Sequence, residues 1–92
     1  MKLVYSPEAH SAIRNFHPTL KSGIKLKLEA LLQNPYAGKP LQLELAGFRS
    51  IAFQRYRAIY SIENREIRIH MVGHRSNVYD EFTRAIAQQN SN

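Results

Sequence analysis

Residues 56–72, YRAIYSIENREIRIHMV, read as two strands joined by a tight turn. Residues 56–62 and 66–72 are rich in β-branched and aromatic side chains. Asn64-Arg65 falls at the turn between them, and asparagine tolerates the left-handed backbone of a tight hairpin. In the second strand Ile67, Ile69 and Met71 are expected on one face and Arg68, His70 and Val72 on the other, by the two-residue period of a strand. Residues 48–54 read as a further strand, so three strands follow one another in the second half of the chain.

Towards the N-terminus the signals are helical. Lys2-Leu3-Val4-Tyr5 reads as a short first strand. Ser6-Pro7-Glu8 is a helix start, with a serine cap, a proline at the first helical position and an acid in the first turn. Ala9, Ala12, Ile13 and Phe16 then share a face, and Pro18 ends the helix. A second helix from near Thr19 carries Leu20, Ile24, Leu28, Leu31 and Leu32 at helical spacing, with Lys21, Lys25 and Lys27 mostly off that stripe. Asn34-Pro35 stops it. Residues 35–47 contain two prolines and two glycines and read as a connection, with Leu41, Leu43 and Leu45 expected to tuck against the core. A third helix begins after Ser76 or Asn77, with Asp80 and Glu81 in its first turn and Val78, Phe82 and Ile86 on its apolar face. Residues 88–92 read as a frayed tail. The order β-α-α-β-β-β-α predicts an α+β fold, a helical hairpin packed on one face of a small, mainly antiparallel four-stranded sheet, with a C-terminal helix. The other face is expected to be partly open and to carry the arginines.

Composition narrows the function classes. The 92 residues, 43% of them hydrophobic, make one domain, 1–92, with no room for a second core. No run of about 18 apolar residues offers a membrane span. The start of the chain lacks the apolar segment of a signal peptide, so the cytoplasm is the expected location and no membrane partner is expected. The chain has no cysteine, which removes disulfides, thiolate metal sites and a thiol nucleophile. The net charge of +6 points to an acidic partner. All five lysines lie before residue 40, whereas residues 49–75 carry arginine alone (49, 55, 57, 65, 68 and 75) against Glu63 and Glu66. Arginine is the better bidentate ligand for phosphate.

The arginines interrupt runs that would otherwise only pack, in Arg55-Tyr56-Arg57-Ala58-Ile59-Tyr60 and Val72-Gly73-His74-Arg75. His70 and His74 share a strand face but lie roughly 13 Å apart along it, too far for one ion, so no metal site is expected. There is no Gly-x-Ser-x-Gly elbow, no paired carboxylates and no glycine-rich phosphate loop. What remains is Arg49, Arg57, Arg75, His74 and Tyr79. Gathered on one concave sheet surface, this set suits RNA cleavage without metal or cofactor. A ribose 2′-hydroxyl attacks phosphorus, guanidinium groups stabilise the phosphorane, and a histidine or tyrosine moves protons.

In order and spacing, Leu45-Ala46-Gly47-Phe48-Arg49-Ser50, Arg55-Tyr56-Arg57-Ala58-Ile59-Tyr60, Val72-Gly73-His74-Arg75 and Val78-Tyr79 resemble the RelE/ParE superfamily of bacterial toxins, the toxic halves of type II toxin–antitoxin pairs. The resemblance, closest to the RelE-like branch, implies a ribosome-dependent endoribonuclease that cuts mRNA and inhibits translation. By that likeness Arg57 and Arg75 act on the scissile phosphate, His74 serves as acid or base, and Tyr79 transfers a proton or stacks on a base. Arg49 and Arg55 bind substrate. The implied partners are a small cognate antitoxin, the ribosome and mRNA, with DNA reached only through the toxin–antitoxin complex at its operator. RelE-type members often carry a second basic residue soon after the position of Arg49, and here Ile51, Ala52 and Phe53 follow instead. Two alternatives stay open: a ParE-like inhibitor of DNA gyrase without nuclease activity, and a degenerate toxin that only binds its antitoxin.

Overall fold

In the computed structural model, which describes residues 1–90, the chain forms a five-stranded sheet with three helices. The elements are β1 (Lys2–Tyr5), α1 (Pro7–Arg14), α2 (Pro18–Glu29), β2 (Lys39–Pro40), β3 (Arg49–Phe53), β4 (Tyr56–Glu63), β5 (Glu66–His74) and α3 (Val78–Asn90). The strand order is β1-β5-β4-β3-β2. β1 runs parallel to β5, and every other pair is antiparallel. The sequence predicts four strands. The fifth, β2, is two residues long and lies inside the connection, where Lys39 and Pro40 pair with Ser50 and Arg49. A pattern that short has no period to read.

Local chemistry accounts for the element ends. Ser6 Oγ accepts from the Ala9 N–H at 3.0 Å and caps α1, and Pro7 and Pro18 stand at the first helical positions of α1 and α2. Pro18 therefore opens the second helix as well as lying beyond the first. Asn64 and Arg65 both have positive φ, +50° and +64°, as a two-residue hairpin between right-twisted strands requires. α3 continues through Asn90, so residues 88–90, expected to fray, are helical. Residues 91–92 lie outside the described residues.

The sheet is covered on both faces. On one face α1 and α2 bury Ala9, Ile13, Ile24 and Leu28 against Ala58, Tyr60, Ile67, Ile69 and Val72. On the other, Val78 and Phe82 of α3 pack with Ile59, Leu45, Phe48 and Met71. Burial of this kind contributes about 1.5–3 kcal/mol per large aliphatic side chain. The exposed ion pairs of Glu66 with Lys2 and Arg68 contribute under about 1 kcal/mol each. Leu43 does not join the core. It is 84% exposed, with φ +56°, because a short 3₁₀ turn at Leu43–Leu45 replaces the expected extended alternation and only Leu45 is buried.

The strand faces depart from simple alternation at one residue. Tyr60 pairs with Ile69 and Ile59 with Met71, so His70 is an extra residue in β5, a β-bulge. His70 and Met71 therefore both face α3, and Val72 joins Ile67 and Ile69 on the helical-hairpin face. The expected positions of Met71 and Val72 are thus exchanged. The bulge is tied to the first helix, since Ser6 Oγ donates to the His70 carbonyl at 2.7 Å.

The His70 ring lies against Phe48 and Phe82, with centroids at 5.1 and 5.8 Å. Ser61 Oγ donates to Glu63 Oε2 and lies 2.7 Å from His70 Nε2. With the one hydroxyl proton committed to Glu63, the imidazole carries its hydrogen on Nε2 and donates to Ser61. Burial pushes the His70 pKa below its ordinary 6.5. Glu63 pulls it back up, Arg68 presses it further down, and Glu8 raises it slightly. The unfolded chain thus takes up this proton at higher pH than the folded one does. The stability associated with neutral His70 is complete above about pH 6.5 and is lost as pH falls through the lower folded value. Urea denaturation at pH 7.5 and pH 5 is expected to show a smaller acid-side loss for His70→Gln, which keeps a donor to Ser61, than for wild type. An equal loss in both would remove His70 as the cause.

Candidate active site

β4 sets the site by alternation. Tyr56, Ala58 and Tyr60 face the helical hairpin, so Arg57 and Ile59 face α3. Arg57 pairs across the ladder with Ala52 on one side and Gly73 on the other, so two small side chains leave open space over it. Arg75 follows the end of β5. Its N–H donates to the Arg55 carbonyl at 2.8 Å, which carries the ladder one step further and brings Arg75 back beside the β3–β4 turn. Gly73 permits the close approach of α3, because a Cβ there would stand 3.3 Å from Val78. In the first turn of α3, the Tyr79 hydroxyl donates to the buried Ser50 Oγ at 3.0 Å.

These groups border one hollow of about 470 Å³, lined by Arg57, Arg75, Tyr79, Ser50 and Lys39 with the backbone of residues 37–38. Among the described residues no ion pair involves Arg57, Arg75 or Lys39, and the Arg57 guanidinium donates to its neighbour, the Tyr56 carbonyl, at 3.2 Å. Three cations thus converge with their charge uncompensated. Lys39 is the residue that sequence reasoning missed. It lies in the Pro/Gly-rich connection, and the signal available was its separation from the α2 lysines.

Three expected members of the set lie elsewhere. Arg49 is on the opposite face, where its guanidinium donates to the carbonyls of Tyr36 and Gly38 at 3.1 and 2.8 Å and lies 5.3 Å from the Tyr36 ring centroid. It clamps the connection that delivers Lys39 rather than facing the hollow. Arg55 is an exposed turn residue that contributes a carbonyl to Arg75. His74 is turned by the bulge to the helical-hairpin face. There it packs edge-on against Tyr56 at 5.8 Å, and Nδ1 accepts from the Ser76 N–H at 3.2 Å, closing the turn into α3. Of the predicted catalytic residues, Arg57, Arg75 and Tyr79 come together and His74 does not.

The connection is held by Tyr60 as well. This tyrosine is fully buried, and its hydroxyl donates to the Pro35 carbonyl at 2.7 Å and accepts from the Gly38 N–H at 3.0 Å. A Cβ on Gly38 would stand 2.6 Å from both the Ser50 carbonyl and that hydroxyl, so only glycine fits.

The molecule thus sets a helical hairpin on one face of a mainly antiparallel sheet and a cationic hollow beside the last helix on the other. The chain matches, over residues 3–79, the family described as the ParE toxin of the type II toxin–antitoxin system, parDE. No curated protein sequence matches it significantly. Among solved structures, it is similar to the RelBE2 toxin–antitoxin complex of Mycobacterium tuberculosis, with TM-score 0.73 and 26% identity over 79% of this chain and 95% of the other. It is similar to the isolated Escherichia coli RelE toxin, with TM-score 0.67 and 25% identity over 91% and 96%. A chromosomal ParDE structure from Pseudomonas aeruginosa shares the fold at TM-score 0.67 and 17% identity, over 80% and 95%. The chain belongs to the ParE toxin family of type II toxin–antitoxin systems, within the RelE/ParE superfamily.

Tyr60→Phe leaves the Gly38 N–H and the Pro35 carbonyl without their partner inside the structure. The expected cost is about 1–3 kcal/mol of unfolding free energy, measured by urea denaturation. An unchanged midpoint would mean that the loop does not depend on this hydroxyl.

Proposed function

We propose that this toxin is a metal-independent endoribonuclease that cleaves mRNA on the ribosome. The observation that carries the reading is the convergence of Arg57, Arg75 and Lys39, unpaired among the described residues, with Tyr79 on one hollow of about 470 Å³, roomy enough for a phosphodiester and its flanking sugars. The ribose 2′-oxygen attacks the adjacent phosphorus and gives up its proton, the bond from phosphorus to the 5′-oxygen breaks, and that oxygen takes a proton. The products are a 2′,3′-cyclic phosphate and a 5′-hydroxyl. Arg57, Arg75 and Lys39 stabilise the added charge on the equatorial oxygens, a contribution that grows from ground state to transition state. Tyr79, hydrogen-bonded to Ser50, is the lining side chain suited to exchange a proton at the reacting oxygens. With His74 on the other face, the reading assigns it the structural turn and gives it no proton to move.

The partner is a small antitoxin, by analogy with the M. tuberculosis relative solved as a toxin–antitoxin complex. An acidic segment of it laid over the hollow neutralises the cations and blocks the phosphate. The site of action is the cytoplasm, where ribosomes and mRNA are found. A second reading, inhibition of DNA gyrase without RNA cleavage, is favoured by the match to the ParE family.

Arg57→Ala and Arg75→Ala are each expected to slow mRNA cleavage at least about 100-fold and to restore growth. Both should fold, because neither guanidinium has an ion pair among the described residues. Lys39→Ala should behave the same way to a lesser degree. Induced expression followed by 5′-end mapping of mRNA reads the cleavage. Wild-type cleavage by both arginine variants at matched expression would end the nuclease reading. Intact mRNA with inhibited supercoiling would establish gyrase as the target.

A further inference from the structure

A second group of basic side chains lies on the opposite side of the sheet and takes no part in the site above. His10 and Arg14 are one turn apart on α1, and Lys21 and Lys25 are one turn apart on α2. The two helices set these four side chains on the walls of a cleft of about 190 Å³, with Ile13 and Tyr5 at its base. Among the described residues no ion pair involves Arg14, Lys21 or Lys25. The Tyr5 hydroxyl oxygen is buried and has no hydrogen-bond partner among the described residues. A buried hydroxyl without a partner costs stability, so native structures rarely leave one without an occupant in reach. Burial and the nearby charge of Glu29 raise its pKa, which keeps the O–H in place as a donor. Glu29 is the acid that faces this end of the cleft. It is exposed and leaves the local balance positive.

We propose that the cleft between α1 and α2 is a second phosphate site, which takes one backbone phosphate of single-stranded RNA while the first hollow holds the scissile one. A single carboxylate needs one cation and a fork. Three cations on the walls of a small cleft with a phenol side chain in its lining match the larger charge and the tetrahedral array of phosphate oxygens. The choice of RNA as the source of the phosphate rests on the nuclease reading, but the site itself does not. Because the cleft is on the far face from Arg57, it acts on affinity and on the path of the strand.

The test uses full-length Arg57→Ala/Arg75→Ala protein, in which the first hollow is disabled, so failure of the nuclease reading and failure of the cleft are read separately. Inorganic phosphate titrated against chloride at equal ionic strength is expected to shift the NMR resonances of Tyr5, Arg14, Lys21 and Lys25 to saturation. Adding Tyr5→Phe should weaken that binding about tenfold. The same change should leave stability unchanged or higher, since the lost hydroxyl has no internal partner. A 2′-O-methyl RNA decamer should shift the same residues, and Lys21→Gln/Lys25→Gln should flatten its log K against log salt slope by about 1.4. Absence of localised shifts, or phosphate binding indifferent to Tyr5→Phe, overturns the site. Phosphate shifts without RNA shifts overturn the assignment to RNA. Saturation of the cleft by an oligoglutamate peptide but not by RNA would make it a protein-docking face and likewise overturn it.

Discussion

The hydroxyl of Tyr60 is the contact on which the rest of the site depends. It belongs to the central strand and is fully buried, yet it satisfies two main-chain groups of a loop that has almost no regular structure of its own. A buried phenol needs a partner, and so do a buried carbonyl and N–H. All three needs are met at one point. Arg49 takes the carbonyls of Tyr36 and Gly38 from beside it. The Pro35–Gly38 segment is thereby fixed against the sheet, and the chain enters β2 with Lys39 at the rim of the cationic hollow. The side chains that hold the loop and the side chains that line the hollow come from alternate residues of the same strands.

Much of this was readable from residues close together in the chain. The hairpin at Asn64-Arg65, the Ser6 and Pro7 start of α1 and the Val78, Phe82 and Ile86 stripe are local patterns, and local patterns survive folding. Arg57 and Tyr79 were legible for a related reason, as polar residues in strand and helix positions where packing alone asks for apolar ones, and Arg75 as the arginine directly after a strand. The failures are failures of register. Arg49 stands opposite Tyr60, which puts it on the helical-hairpin face, and this pairing depends on two strands whose alignment no local pattern fixes. Strict alternation from Ile67 puts residue 74 on the α3 face. The bulge at His70 reverses that and carries His74 away from the hollow. Lys39 was hidden because a two-residue strand has no period, and Leu43 was misplaced because a 3₁₀ turn broke the alternation.

The charge distribution has its own logic. The net charge of +6 is not spread as a solvated coat. Part of it collects, unpaired, in two recesses on opposite faces, while the ion pairs that do form gather around Glu66 at the other end of β5. Convergent like charges repel, and that repulsion is relieved when an anion arrives. A fold that gathers guanidinium and ammonium groups around one recess before any ligand comes has already met the cost of bringing them together, which favours stabilisation of developing charge.

The bulge also defines how such a scaffold changes over generations. Every residue of β5 beyond His70 presents the side it does because one extra unit was accommodated upstream and anchored by Ser6. Loss of a single codon there would restore plain alternation and exchange, in one step, which of the two neighbours at the strand's end looks toward the recess beneath α3, imidazole or guanidinium. Point substitution alters one side chain at a time. An insertion or deletion at this strand re-deals the whole corner, so lineages built on the same framework can differ in their reacting groups while the rest of their sequence remains aligned.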